Sequence, residues 1–281
     1  MGNPKFNTKI GQHILKNPGI IDALIEKAKV KPTDVILEIG GGTGNLTIKL
    51  LQRAKRVICY EKDPRLAAEL MKRVEAQPEL SHKLKLIVGD ALEATFPYFD
   101  MCISNTPYQI SSPLVFKLLN YNFKCAYLMF QREFAERLTA RVGLPAYSRL
   151  SVAVQISAQV DHIMKVGKNN FNPPPKVESS IVRIEPKYPK PPIDLTEFNG
   201  LLQMCFLRKN KTLSAVFKGN TISKNMYRVR SENENSEEEI REILHKTNMG
   251  NKRASKLEIE DFLLLLLEFK KSGFGFKSDK K

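Results

Sequence analysis

Apolar residues in the first two thirds of the chain come in short unbroken runs rather than in alternation. "DVILEIG", "RVICYEKD", "LKLIVGDA" and "FDMCISN" are such runs, and helical spacing separates them, in "NLTIKLLQRA" and again over Pro64–Val74. Unbroken apolar strands divided by helices predict a parallel sheet covered on both faces. The helix "SPLVFKLLNY" and the strand "KCAYLMFQ" continue the alternation, and "SSIVRIEP" reads as one further strand. The expected class is α/β, a doubly wound Rossmann-like sheet. "EPKYPKPPI", rich in proline and lysine, then reads as a linker near residues 185–193. Beyond it strand signals vanish, and helical periodicity appears in "EFNGLLQMCFLRKN", "SEEEIREILHKT" and "EIEDFLLLLLEFKK", the last preceded by Ser255. The expected division is one domain over 1–187 and a smaller, all-helical one over 193–281. "SENENSEEE", residues 231–239, reads as an acidic loop that caps a helix.

Length and charge sharpen this picture. A chain of 281 residues can bury one good core and a second, smaller one. Its net charge of +15 says little about fold but favours a polyanionic partner, most often nucleic acid. A membrane surface is the rival. Phe262–Leu267, the longest apolar run near the end, is too short to span a bilayer. The start "MGNPKF" has no apolar signal core, and Phe6 stands where a myristoylation signal wants Ser or Thr. Cys59, Cys102, Cys125 and Cys205 lie far apart without metal-ligand spacing, so buried free thiols, no metal and an intracellular location are expected.

Ligands of open α/β sheets sit outside the carboxyl ends of the strands, so the residues ending each run carry the chemistry. The first run ends in "EIGGGTGN". Gly40, Gly42 and Gly44 allow a tight turn and close approach of a ligand. No Gly-Lys-Ser/Thr follows and the dinucleotide spacing is missed, so pyrophosphate binding is unsupported. The second run ends at Glu61, whose carboxylate can accept both hydroxyls of a ribose or can be a solvated acid. The third ends in Gly89-Asp90, and that aspartate can accept from an adenine amino group or cap a turn. Jointly, the strand ends describe a pocket for an adenosine with no pyrophosphate. The fourth run stops at Ser104 and delivers Asn105-Thr106-Pro107-Tyr108.

"EIGGGTGN", "YEKD", "GDA" and "NTPY", in this order, resemble the S-adenosylmethionine-dependent methyltransferases, and the fourth element resembles their amino-methylating branch. "FNTKIGQHIL" and "KVGKNNFNPPPKVESSIVRIEP" narrow the resemblance to the small-subunit rRNA adenine dimethyltransferase family, in its eukaryotic dimethyladenosine transferase branch. The similarity runs from about Phe6 to the linker and resumes at "FLRKNKTLSAVFK". Gly41 and Thr106 depart from the family, which usually has proline and leucine there; the first change is expected to loosen the turn.

The resemblance implies S-adenosylmethionine as cofactor, held by Gly40, Gly42, Glu61, Asp90 and Asn105, with His13 and Leu15 at its methionine end. It implies that the Asn105 side-chain carbonyl and the Thr106 backbone carbonyl hold the protons of an adenine amine. Pro107 would fix that backbone, Tyr108 would stack on the base, and Phe171 would lie on the base's other face. The implied reaction adds two methyls to each of two adjacent adenosines near the 3′ end of small-subunit rRNA. The implied partners are that rRNA and pre-ribosomal particles, met by a monomer in the nucleus or nucleolus and the cytoplasm. Arg208, Lys209, Lys211 and Lys218, beside apolar residues at apparent helical spacing, are the expected RNA contacts. Two other readings are a ribosome assembly factor whose RNA binding matters more than methyl transfer, and a mitochondrial transcription factor of the same fold.

Overall fold

The computed structural model describes residues 13–228 and 236–277. Phe6 and the front of the acidic stretch lie outside the described residues. By residue contacts the chain divides into two units.

The first unit runs to Glu136 and resumes over Ala158–Lys187. It opens with β1 (Ile14–Leu15) and α1 (Pro18–Ala28), whose start is set by Pro18 and by the Asn17 side chain accepting from Gly19 N. Then come β2 (Val35–Ile39), α2 (Asn45–Arg53), β3 (Arg56–Glu61), α3 (Pro64–Glu75), α4 (Pro78–Ser81) and β4 (Leu84–Val88). β5 (Met101–Asn105), α5 (Ser111–Leu118), β6 (Cys125–Gln131), β7 (Ala158–Val166), β8 (Phe171–Asn172) and β9 (Ser179–Pro186) complete it. Seven strands form one sheet in the order β4-β3-β2-β5-β6-β9-β7. The five from β4 to β6 are parallel, as unbroken apolar strands require. The chain winds outward from β2 to β4 and returns to β5 on the other side of β2. The reversal of strand order therefore falls between β2 and β5, directly above which Gly40 and Asn105 emerge.

Two features of this sheet differ from the sequence reading. β9 runs antiparallel to β6, and β7, which carries no clear sequence signal, runs antiparallel to β9. "AQVDHIMKV" is an edge strand with exposed Gln159, His162 and Lys165, so its apolar pattern is diluted. β1 and β8 also pair, antiparallel, in a ribbon too short to show periodicity.

The second unit takes Arg137–Ser157 and everything described from Tyr188. Residues 137–157 precede the proline-rich linker, yet α7 (Arg149–Gln155) packs on α8 (Leu195–Phe206), and the Tyr147 hydroxyl donates to Leu257 O at 2.8 Å. α6 (Arg132–Thr139) leads into this segment. α9 (Leu213–Val216), α10 (Asn220–Asn225), β10 (Met226–Arg228), α11 (Ser236–Lys246), α12 (Ile259–Lys271) and β11 (Phe274–Phe276) follow. The unit is mostly helical around Phe269, whose ring meets Phe217, Phe274 and Phe276. It is not wholly so, because β10 pairs antiparallel with β11. α12 is capped by Glu258 and Asp261 rather than by Ser255.

Gly41 also corrects an expectation. The turn at this position is filled, not loose: a Cβ there would fall on the Cys59 sulfur and within 2.7 Å of Leu70 Cδ1. Gly41→Ala is therefore expected to destabilise the fold by about 1–3 kcal/mol through overpacking. Adding Cys59→Ala should recover part of that loss, and urea unfolding of the two single variants and the double gives the coupling. Strict additivity would mean that the Cys59 sulfur does not fill the space.

Candidate active site

The glycine turn after β2 approaches two neighbours closely. Gly40 has φ 78° and a Cβ there would sit 3.1 Å from the Pro107 ring, while Gly42 has φ 57° and a Cβ there would sit 2.8 Å from Ile14 Cδ1. Both the left-handed backbone and the contact exclude a side chain. The turn is tied to β3 because Gly40 N donates to Tyr60 O at 2.7 Å and Gly42 N donates to Glu61 Oε2 at 2.8 Å. Glu61 Oε1 accepts from Asp63 N at 2.8 Å, so this carboxyl braces the turn as well as facing the cleft. Burial pushes its pKa up, against the pull of these backbone N–H groups.

A second carboxyl stands beneath the turn. Glu38, next to last in β2, is 1% exposed, and its Oε2 and the Thr47 hydroxyl have no partner of normal hydrogen-bond geometry among the described residues. Burial raises its pKa from 4.5 to about 8, and the nearby Thr47 hydroxyl and Cys59 thiol offset this only in part. Glu38 is therefore a neutral acid at neutral pH.

Asn105 ends β5, and its Nδ2 donates to His13 O at 3.0 Å. A backbone carbonyl can only accept, so the amide nitrogen is committed there and Oδ1 is left for the cleft. Pro107, at φ −57° and ψ 126°, holds the chain extended before the turn Tyr108–Ile110. The Tyr108 hydroxyl lies 2.6 Å from the buried Ser179 Oγ at the start of β9, which fixes the ring's tilt. The His13 ring stacks on Tyr108 with centroids 5.9 Å apart, and His13 Nδ1 is 2.9 Å from Pro173 O. Three distant segments, "HIL", "NTPY" and "FNPPPKVESS", thus close on one another.

His13, Gly40, Gly42, Glu61, Asn105, Thr106, Pro107 and Tyr108 line one cleft, partly open to solvent. Three expected residues are not among the side chains that line it. Asp90 stands two residues beyond β4, pairs with Lys62 Nζ at 2.8 Å and accepts from Leu92 N at 2.8 Å, contacts that hold its pKa low. The Leu15 and Phe171 side chains belong to the core, 3% and 1% exposed, beside Ile103, Met129 and Ile181. Sequence reasoning missed Ile14 and Leu66, which also line the cleft, and Ser179. The doublet "ESS" before an apolar run was the one available signal for the last.

In the second unit, Arg208, Lys209 and Lys211 lie in the turn after α8 rather than on a helix, because α8 ends at Phe206. Arg208 Nη2 donates to Ala215 O at 2.8 Å and Lys209 Nζ to Pro145 O at 3.1 Å. Arg208, Lys211 and Lys218 are exposed.

Comparison with known proteins gives a consistent result. Residues 3–263 match the family described as ribosomal RNA adenine dimethylase. The chain is 55% identical to a probable dimethyladenosine transferase of Drosophila melanogaster, over 96% of this chain and 92% of that one. A crystal structure of a dimethyladenosine transferase from Plasmodium falciparum is similar with TM-score 0.83 at 44% identity, covering 94% of this chain and 100% of that one. The 23S rRNA methyltransferase ErmE is similar with TM-score 0.66 at 25% identity, covering 92% of this chain and 99% of that one.

The buried neutral acid makes a prediction about pH. Unfolded, the Glu38 carboxyl ionises near 4.5; folded, it holds its proton until about 8. Between those values the native state binds more protons, so this group's contribution to stability falls as pH rises. Glu38→Gln should remove that dependence. Its stability relative to the parent, from urea unfolding at about pH 5.5 and about pH 7.5, should improve at the higher value. An unchanged difference would mean that Glu38 is ionised in the fold.

Proposed function

The chain belongs to the ribosomal RNA adenine dimethylase family, and on that premise we propose that it methylates two adjacent adenosines near the 3′ end of small-subunit rRNA during subunit assembly. It is an S-adenosylmethionine-dependent rRNA adenine dimethyltransferase. The residues present fit that cofactor: Gly40 and Gly42 leave room where a Cβ would close the cleft, and each Glu61 oxygen keeps a lone pair for a ribose hydroxyl. When bound, S-adenosylmethionine supplies a methyl on a positively charged sulfur.

The observation that carries the reading is the fixed orientation of the Asn105 amide. An adenine amine is a poor nucleophile because its lone pair is delocalised into the ring. Asn105 Oδ1 and the Thr106 carbonyl accept its two N–H groups and turn the lone pair out of conjugation. Tyr108 offers a stacking face worth about 1–3 kcal/mol per base, and Ser179 holds that face still. No strong base is needed, since the methylated amine cation is acidic and loses its proton to water. Positioning of this kind supplies roughly 7–11 kcal/mol when the geometry is good. After the first methyl one N–H remains for one acceptor, and the same arrangement serves the second transfer. Phe171 has no part here, being in the core.

The net charge of +15 supports a folded RNA as substrate, and Arg208, Lys211 and Lys218 are the phosphate contacts of this proposal. Relatives at about half identity from yeast and fly, both named dimethyladenosine transferases, support adenine dimethylation as the reaction. The proposal includes action on pre-ribosomal particles, as a monomer, in the nucleus or nucleolus and the cytoplasm.

Incubation with labelled S-adenosylmethionine and immature small subunits, followed by nucleoside analysis, should give N(6),N(6)-dimethyladenosine. Asn105→Ala should abolish the product while RNA affinity survives, because the amide acts on the amine in the transition state. Label elsewhere than in adenosines near the small-subunit 3′ end would overturn the substrate assignment. Wild-type turnover in the variant would reduce Asn105 to a turn residue.

Replacing Arg208, Lys211 and Lys218 by alanine should weaken binding to small subunits. It should also flatten the salt dependence by roughly one unit per lost phosphate contact. An unaltered slope would return these residues to a solvated face.

A further inference from the structure

β1 is bonded on both of its edges, and only one of them belongs to a sheet. On the first edge it pairs with β8, and Lys16 N continues the ladder to Asn170 O at 2.9 Å. Carbonyls two residues apart on a strand point the same way. The carbonyls of His13 and Leu15 therefore both face away from β8. Two asparagine amides meet them there: Asn105 Nδ2 donates to His13 O at 3.0 Å and Asn45 Nδ2 donates to Leu15 O at 2.9 Å. One of these amides, that of Asn105, lines the cleft; the other does not.

The Asn45 amide is itself fixed. Arg73 Nη1, from α3, donates to Asn45 Oδ1 at 2.8 Å and to Thr43 O at 2.5 Å. A guanidinium has only donors, so Asn45 must accept from it and must present its nitrogen to the strand. The chain of orientation runs from Arg73 to Asn45 to Leu15, two residues along the strand to His13, and so to Asn105. Every link has a donor and an acceptor that cannot be exchanged without leaving a group unpaired.

We infer that Asn45, anchored by Arg73, is a positioning residue for methyl transfer: it sets the height of β1 and thereby the aim of the Asn105 amide. The inference rests on the proposed role of Asn105. It explains why an asparagine closes "GGGTGN": a residue at the first position of α2 that both accepts and donates is what the strand edge and Arg73 together need.

The decisive variant is Asn45→Asp. It keeps the shape and the partnership with Arg73 but turns an acceptor toward the Leu15 carbonyl. The single-turnover rate at saturating S-adenosylmethionine and small subunits should fall roughly 10- to 100-fold, the scale of a misplaced reacting group. The melting temperature should fall modestly, as one lost hydrogen bond requires, while the variant stays folded at the assay temperature. Asn105 side-chain amide protons, followed by NMR, should exchange faster, a readout that needs no turnover. The parent enzyme is the control for the functional reading itself, since an inactive parent overturns that reading and leaves the amide exchange to judge this one. A parent-like rate at saturating cofactor together with parent-like exchange in Asn45→Asp overturns the inference. Should Asn45→Asp not fold, Arg73→Met, which frees Asn45 while leaving its donor in place, decides instead: a lowered rate supports the inference and a parent-like rate overturns it.

Discussion

An asparagine amide can turn only one of its ends to a ligand, and at Asn105 the His13 carbonyl settles which. With Nδ2 committed to that carbonyl, the acceptor end is the one the cleft receives. Much of the surrounding architecture serves to keep His13 where it is. β8 pairs with its strand, Pro173 O meets its ring, and the glycine turn lies so close to Ile14 and Pro107 that no side chain fits between. A reaction whose catalysis is mostly aim requires this, because an error in position is lost directly as rate.

The electrostatics suit the same chemistry. Glu38 and Glu61 stand close to the glycine turn, and burial raises both pKa values. Glu38 is neutral at neutral pH, so the fold carries an uncharged acid beneath the turn while Glu61 is left with its backbone donors.

The sheet and the positions of Gly40, Glu61 and Asn105 were legible in the sequence because each follows from an unbroken apolar run and its last residue. What escaped was everything set by contacts between distant segments. Ser179 meets Tyr108 across 71 positions, and Asn45 meets Leu15 across 30, and neither pairing leaves a periodic trace. Asp90 and Phe171 have the residue types their roles require, and neighbours the sequence does not announce meet them: Lys62 and Leu92 engage the first, and the second packs in the core. β7 was lost because an edge strand with polar side chains has no apolar run to read. The turn after α8 was read as helix because cations beside apolar residues look alike in either.

The most direct test of the account is a crystal structure of the protein with S-adenosylhomocysteine and an adenosine nucleotide. The account predicts the adenine amine within hydrogen-bond distance of Asn105 Oδ1 and the Thr106 carbonyl, with the base on Tyr108 and Asn105 Nδ2 still on His13 O. An adenine bound with its amine toward Asn105 Nδ2, or with the His13 bond broken, would contradict it.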